Sequence, residues 1–214
     1  MLDWESMGDA LAQAKDTTPE YCVSVAMRFR WISARRAFLA ILVIAPLAAE
    51  EPEAPAHLRE AYLLWQEGYQ LHLAGAYEEA IKRFEESIEL HPTAEAHTFL
   101  GWSMSYLGRR EEAIEECKKA IALDPDYGNP YNDIGVYLID LGRPDEAVAW
   151  LEKAMRAKRY CCYQFPHFNL GRVQLMKGQL EEAKRSFERA LSYDPNYLPA
   201  RHGLAFIRGQ GEEL

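Results

Sequence analysis

One pattern of small side chains recurs four times between Leu64 and Pro195. Gly68, Gly101, Gly135 and Gly171 each stand twelve residues before an alanine, at Ala80, Ala113, Ala147 and Ala183. A second glycine falls five residues before each alanine, at Gly75, Gly108, Gly142 and Gly178. Seven residues after each alanine comes another small side chain: Ser87, Ala120, Ala154 and Ala190. The alanines are 33, 34 and 36 residues apart. A repeat of this length cannot bury its own apolar face, so copies must stack on one another into a solenoid.

Within each unit two apolar stretches with helical spacing flank a glycine-containing turn, such as Leu73-Ala74-Gly75-Ala76 or Leu107-Gly108-Arg109-Arg110. The predicted helix pairs are 58–73 with 77–90, 94–107 with 110–123, 128–141 with 144–157, and 164–177 with 180–193. Small residues sit where paired helices cross, with Gly68 expected to face Ala80 and Gly101 to face Ala113. Phe84, Leu100, Ile114, Ile121, Ile134, Leu151, Leu170 and Phe187 are the expected fill between pairs. On the second helices, Glu78/Lys82, Glu115/Lys119 and Glu181/Arg185 have the four-residue spacing of exposed ion pairs. Tyr197 to Arg208 would form a last helix covering the open edge, ended by Gly209-Gln210-Gly211.

The pattern resembles the tetratricopeptide repeat (TPR), whose motif reads W-x2-L-G-x2-Y, then A-x3-F, then P. The fourth unit matches well, with Leu170-Gly171, Ala183-x3-Phe187 and Pro195. The first has Glu67 in place of Leu, and the second has Cys117 in place of Phe. The third lacks a closing proline and carries two extra residues. The resemblance covers residues 58 to 208. It implies an all-α TPR solenoid of antiparallel helix pairs, a right-handed superhelix with a concave groove. Its units would be 58–93, 94–127, 128–163 with a long connection, and 164–196, followed by a capping helix 197–208 and a tail 209–214.

In that family the first helix of each pair lines the groove. Carried over, the first unit supplies Trp65, Tyr69 and His72, and the second supplies Thr98 and Trp102. The third supplies Asn129, Asn132 and Val136, and the fourth supplies Phe168 and Arg172, with Asn169 beside them. Aromatic side chains and Arg dominate binding hot spots. Asn132, helped by Asn129 or Asn169, has the donors and acceptors to bond the backbone of an extended peptide. Each aromatic has inter-repeat packing as its competing role. TPR domains that hold a chaperone's terminal carboxylate use paired Lys or Arg with Asn on these faces. Only Arg172 is basic here, which disfavours that type of adaptor.

Charge is distributed unevenly. Residues 1–26 carry a net −4, residues 27–49 a net +4, and the remainder the chain's whole −9. An acidic solenoid lacks the basic stripe that phosphate contacts need, so nucleic acid is not an expected partner. Residues 28 to 36 hold four arginines and run into thirteen uncharged residues, Ala37 to Ala49, before the Pro-rich linker at 50–57. A basic start, a short apolar run and small residues describe a secretory signal peptide. Export would make Met27 the true start and residues 1–26 a misassigned extension. Two other roles stay open. One is a membrane anchor through residues 37–49, short against the ~20 residues a span needs. The other is a helix packed on the first repeat in a cytoplasmic protein.

No catalytic or metal-ligating constellation stands out. The six histidines are scattered, and no G-x-S-x-G, phosphate loop or C-x-x-C occurs. Cys117 falls at a helix-core position, and Cys161-Cys162 sit in the long third connection, expected to pack under it with Tyr160, Tyr163 and Phe165. The expectation is a non-catalytic scaffold, without cofactor or metal, that binds a protein or peptide partner in its groove. Pro166 to Gly171 after a lengthened connection is similar to small bacterial envelope TPR proteins that help assemble pili or secretin pores, though no lipid-anchor cysteine lies near residue 50. The alternative is a self-associating structural oligomer, the groove of one copy taking a helix of another.

Overall fold

The computed structural model describes residues 55–212, so the expectations for residues 1–26 and 27–49 lie outside the described residues. The described chain is a run of α-helices: α1 (Ala56–Leu73), α2 (Tyr77–Leu90), α3 (Ala94–Tyr106), α4 (Arg110–Leu123), α5 (Asn129–Asp140), α6 (Pro144–Arg156), α7 (Gln164–Met176), α8 (Leu180–Tyr193) and α9 (Leu198–Glu212). Odd- and even-numbered helices pair within each unit, and each even helix also packs on the next odd one. Successive odd helices touch one another as well, which makes theirs the shorter, inner side of the stack.

Local chemistry explains the helix ends. Thr93 caps α3, its hydroxyl accepting from the Ala96 amide at 3.1 Å. Each second helix opens on two acids, Glu78-Glu79, Glu111-Glu112, Asp145-Glu146 and Glu181-Glu182, where the helix dipole favours negative charge. The turn inside each pair needs one left-handed residue, and Gly75, Gly108, Gly142 and Gly178 supply it with φ between 71° and 79°. The glycines expected to stop α9 do not: the helix runs through Gly209 and Gly211. Glycine weakens a helix by about 1 kcal/mol without breaking it.

The core is graded in size. Ala80, Ala113, Ala147 and Ala183 are completely buried, as are Ala120, Ala154 and Ala190. Ser87, in the position those last three alanines occupy, satisfies its hydroxyl on the Ala61 carbonyl at 2.7 Å. Phe84, Cys117, Leu151 and Phe187, one turn beyond the conserved-spacing alanines, are also completely buried. Here the expected crossing contact needs correction. A Cβ on Gly68 or Gly171 would meet the ring of Phe84 or Phe187, at 2.9 and 2.5 Å, rather than Ala80 or Ala183. Gly101 does sit over Ala113, 3.1 Å from its carbonyl. The glycines therefore make room for the bulky side chain of the partner helix. Phe187 is also held by Gly203 of α9, so the last helix closes the edge of the fourth unit.

The connection after α6 takes the place of the missing proline turn. Residue 159 forms a parallel bridge with Tyr127. The Arg159 amide donates to the Asp126 carbonyl at 2.8 Å, and the Gly128 amide donates to Arg159 at 3.1 Å. The two extra residues of the third unit thus lie along the turn that enters it.

Candidate functional site

The groove residues fall into two columns, four residues apart on each first helix. Trp65, Thr98, Asn132 and Phe168 form one, with relative exposures of 5%, 0%, 8% and 5%. Tyr69, Trp102, Val136 and Arg172 form the other, and all four are half-buried. A four-residue step advances ~40° around a helix, enough to pass from the seam between units to the open inner face. The first column is therefore inter-unit packing, which corrects its expected place in the groove. Thr98 is the extreme case: its hydroxyl donates to the Ala94 carbonyl at 2.7 Å inside the core. Asn129, the first residue of α5, is half-buried like the open column.

At the first seam the columns are aromatic. Trp65 stacks on Tyr62 and Tyr69, and Phe99 meets Trp65 and Tyr69 edge-on at 5.3 and 5.2 Å. His72, also expected in the groove, is buried between Tyr77, Trp102 and Tyr106 and shares a 3.0 Å hydrogen bond with the Ser103 hydroxyl. Burial lowers its pKa to about 4, so it is neutral at pH 7.

Further along, the seam becomes polar. The Trp102 indole N–H donates to the Asp133 carboxylate at 2.5 Å across the second junction. Asn132 donates to the other Asp133 oxygen at 3.4 Å. Asn169 donates to the Asn132 carbonyl oxygen at 3.1 Å, and Arg172 donates to Asn169 at 3.1 Å. Arg172 and Arg110 both face Asp140, at 3.6 and 3.5 Å. Asp133 is 7% exposed, and burial, opposed by the Trp102 and Asn132 hydrogen bonds, raises its pKa to about 7. Phe168 turns the other way, onto Phe187 and Tyr197. Asn132 and Asn169 thus spend amide groups on each other, and Arg172 reaches the open face from a base of Asn169 and Asp140.

Asp133, Ser103 and Asp140 complete this network, and the sequence pattern did not single out Asp133 or Ser103. Trp102 to Asp133 and His72 to Ser103 are each 31 residues apart, about one period less one turn. A polar residue one period less three after a Trp or His is the signal that would have found them.

At the third connection Cys162 is buried at 5% exposure, while Cys161 is exposed, correcting its expected place under the loop. The two are paired sulfur to sulfur. Among the described residues, no group of three or more His, Cys, Asp or Glu gathers as a metal site would, and no helix is long and apolar enough to cross a membrane.

Comparison with known proteins bears on this geometry. Family models described as tetratricopeptide repeat match residues 94–127, 165–197 and 116–149. The TPR repeat-containing protein YpiA of Bacillus subtilis is 26% identical over 145 residues, 67% of this chain and 33% of YpiA. The chain thus spans about a third of that relative's length. The photosystem I assembly protein Ycf3 of Prochlorococcus marinus is 28% identical over 125 residues, covering 53% of this chain and 68% of Ycf3. The solved structure of PilF from Pseudomonas aeruginosa superposes with a TM-score of 0.69 at 25% identity, covering 74% of this chain and 72% of PilF.

Proposed function

Because the chain belongs to the tetratricopeptide-repeat family, whose members are generally non-catalytic protein-interaction scaffolds, we propose that it binds a partner peptide or helix along its inner face. The observation that carries this is the half-buried column Tyr69, Trp102, Val136 and Arg172, one side chain from each unit, running the length of the stack. Three of them are seated on neighbouring side chains and partly exposed. Tyr69 rests on Trp65 and Phe99, Trp102 is fixed by Asp133, and Arg172 is fixed by Asn169 and Asp140. Seated side chains lose little entropy when a ligand covers them, so contact energy is not spent on ordering. Asn129 stands beside this column with amide groups suited to a peptide backbone.

The process we assign is assembly at the bacterial envelope. The basic-then-apolar order of residues 27–49 supports export or membrane attachment. Likeness to Ycf3, an assembly protein by name, supports an assembly role. Cytoplasmic residence is the competing location, and cell fractionation separates the two.

Panning a random peptide library on the full chain tests the groove. Selected peptides should bind Tyr69→Ala and Val136→Ser at least ~10-fold more weakly, the size expected of hot-spot contacts. Arg143→Ala, in an exposed turn, should bind as wild type does. Peptides indifferent to both groove variants, with unchanged helicity, would remove the inner face as the site. If the chain binds chiefly copies of itself, a concentration-dependent mass in size-exclusion chromatography identifies the self-associating alternative.

A further inference from the structure

The vicinal cysteines sit between two anchored stretches of the third connection. Upstream, Arg159 pairs with Glu95 and with Asp124, each at 2.7 Å, and lies over the Tyr127 ring at 4.0 Å. Next to it Tyr160 covers Gly128 so closely that a Cβ there would lie 2.4 Å from its ring. Both anchors belong to the junction of the second and third units. Downstream, Tyr163 packs on Tyr193 of α8 at 5.4 Å, and Phe165 meets Tyr197 edge-on at 5.5 Å. Those ring partners belong to the fourth unit and its cap, while the Tyr163 hydroxyl also donates to the Ala157 carbonyl at 3.0 Å and its ring meets Tyr160 edge-on at 5.4 Å. Cys161-Cys162 is the whole of the chain between the two sets.

We propose that Cys161-Cys162 is a redox modification site that sets the position of the fourth unit against the third. The reaction is thiol–disulfide exchange with a low-molecular-weight disulfide. Exposed Cys161, as thiolate, attacks one sulfur of that disulfide and expels a thiolate. Buried Cys162 then attacks the mixed disulfide at Cys161 and expels the second thiolate. Two cysteine thiols are oxidised, the small disulfide is reduced to two thiols, and two protons leave the cysteines. The closed pair makes an eight-membered ring that includes the intervening peptide group, so its backbone angles differ from those of the open dithiol. With residues on both sides held, the change falls on the contacts that join them: Tyr160 with Tyr163, Tyr163 with Ala157, and the packing of the fourth unit on the third. Cys117 serves as the internal contrast: it is completely buried, and burial raises its thiol pKa well above the usual range.

The test treats the full chain with a phosphine reductant or with oxidised glutathione, then alkylates it under denaturing conditions. Trypsin releases residues 160–172 as one peptide. After oxidation that peptide should be two hydrogens lighter and refuse alkylation, while the peptide carrying Cys117 alkylates in both states. Amide hydrogen exchange over the third connection and the start of α7 should differ severalfold between the two states. The Cys161→Ser, Cys162→Ser double variant should show no such difference. A persistent glutathione adduct on peptide 160–172, or continued alkylation of both cysteines, overturns the exchange chemistry. A closed bond with unchanged amide exchange overturns the coupling to the fourth unit.

Discussion

The first and third seams of this solenoid occupy the same place in the repeat and are filled by opposite chemistries. Between the first two units, Trp65, Tyr69 and Phe99 meet ring against ring. Between the last two, Asn132 and Asn169 meet amide against amide, with Arg172 and Asp140 behind them. An aromatic seam gains from area and tolerates a loose angle; the buried Trp65 N–H even goes without a partner. A polar seam gains little net energy but is costly to break, because each lost bond strands a buried group. One backbone packing thus accepts an adhesive that is strong and forgiving at one end and one that fixes register at the other.

Three substitutions sharpen that contrast. The largest effect should come from the aromatic seam: Trp65→Ala removes a buried indole and should cost about 3–5 kcal/mol in urea unfolding. A loss below ~1 kcal/mol would mean the first unit contributes little to the cooperative fold.

Next comes Asp133, where the effect depends on pH. Its folded pKa is about 7, above the ~4 of an unfolded carboxyl. Between those values the native state keeps a proton that the unfolded chain has released, so stability falls as pH rises through the window. His72 has the opposite sign. Its folded pKa of about 4 lies below the ordinary ~6.5, so its contribution is lost as pH drops through nearly the same window. Asp133→Asn removes the first slope and leaves the second. The variant should exceed wild type by ~2–4 kcal/mol at pH 8 and match it near pH 4. A variant less stable than wild type at pH 8 would show that the Trp102 bond to the charged carboxylate outweighs desolvation.

The smallest of the three is Asn169→Ala, expected to cost ~1–3 kcal/mol by leaving Asn132 and Arg172 short of a partner. Asn169→Ala with Asn132→Leu should recover part of that loss, since an apolar pair strands fewer groups. No recovery would argue that the seam depends on Arg172 rather than on the amides.

Helix positions were legible because a repeated error-correcting pattern marks them. Four copies of the same glycine and alanine spacing place α1 to α8 within two residues of their predicted ends. The TPR architecture followed for the same reason. The inner face was legible only by half. Tyr69, Trp102, Val136 and Arg172 are half-buried, whereas Trp65, Thr98, Asn132 and Phe168 are buried seam residues. The ~40° that separates the columns is decided by how closely neighbouring units approach, and a single unit's sequence does not contain that distance. Asp133 was invisible for a related reason, since its partner lies on the preceding unit. The docking of Arg159 was hidden because it replaces a proline turn with pairing between residues 32 apart.

That docking bears on how the molecule comes apart. Arg159 reaches back to Glu95 near the start of α3, a separation of 64 residues. Among the described residues, where packing joins each helix to its neighbour and each first helix to the next, this clasp encloses the second and third units in one loop. Melting either one alone would forfeit the clasp as well as the helices, so the two are tied into a single foldon. The first and fourth units lie outside that loop and are held by their seams alone. A solenoid is usually pictured as a stack of interchangeable tiles; this one has a buckled midsection.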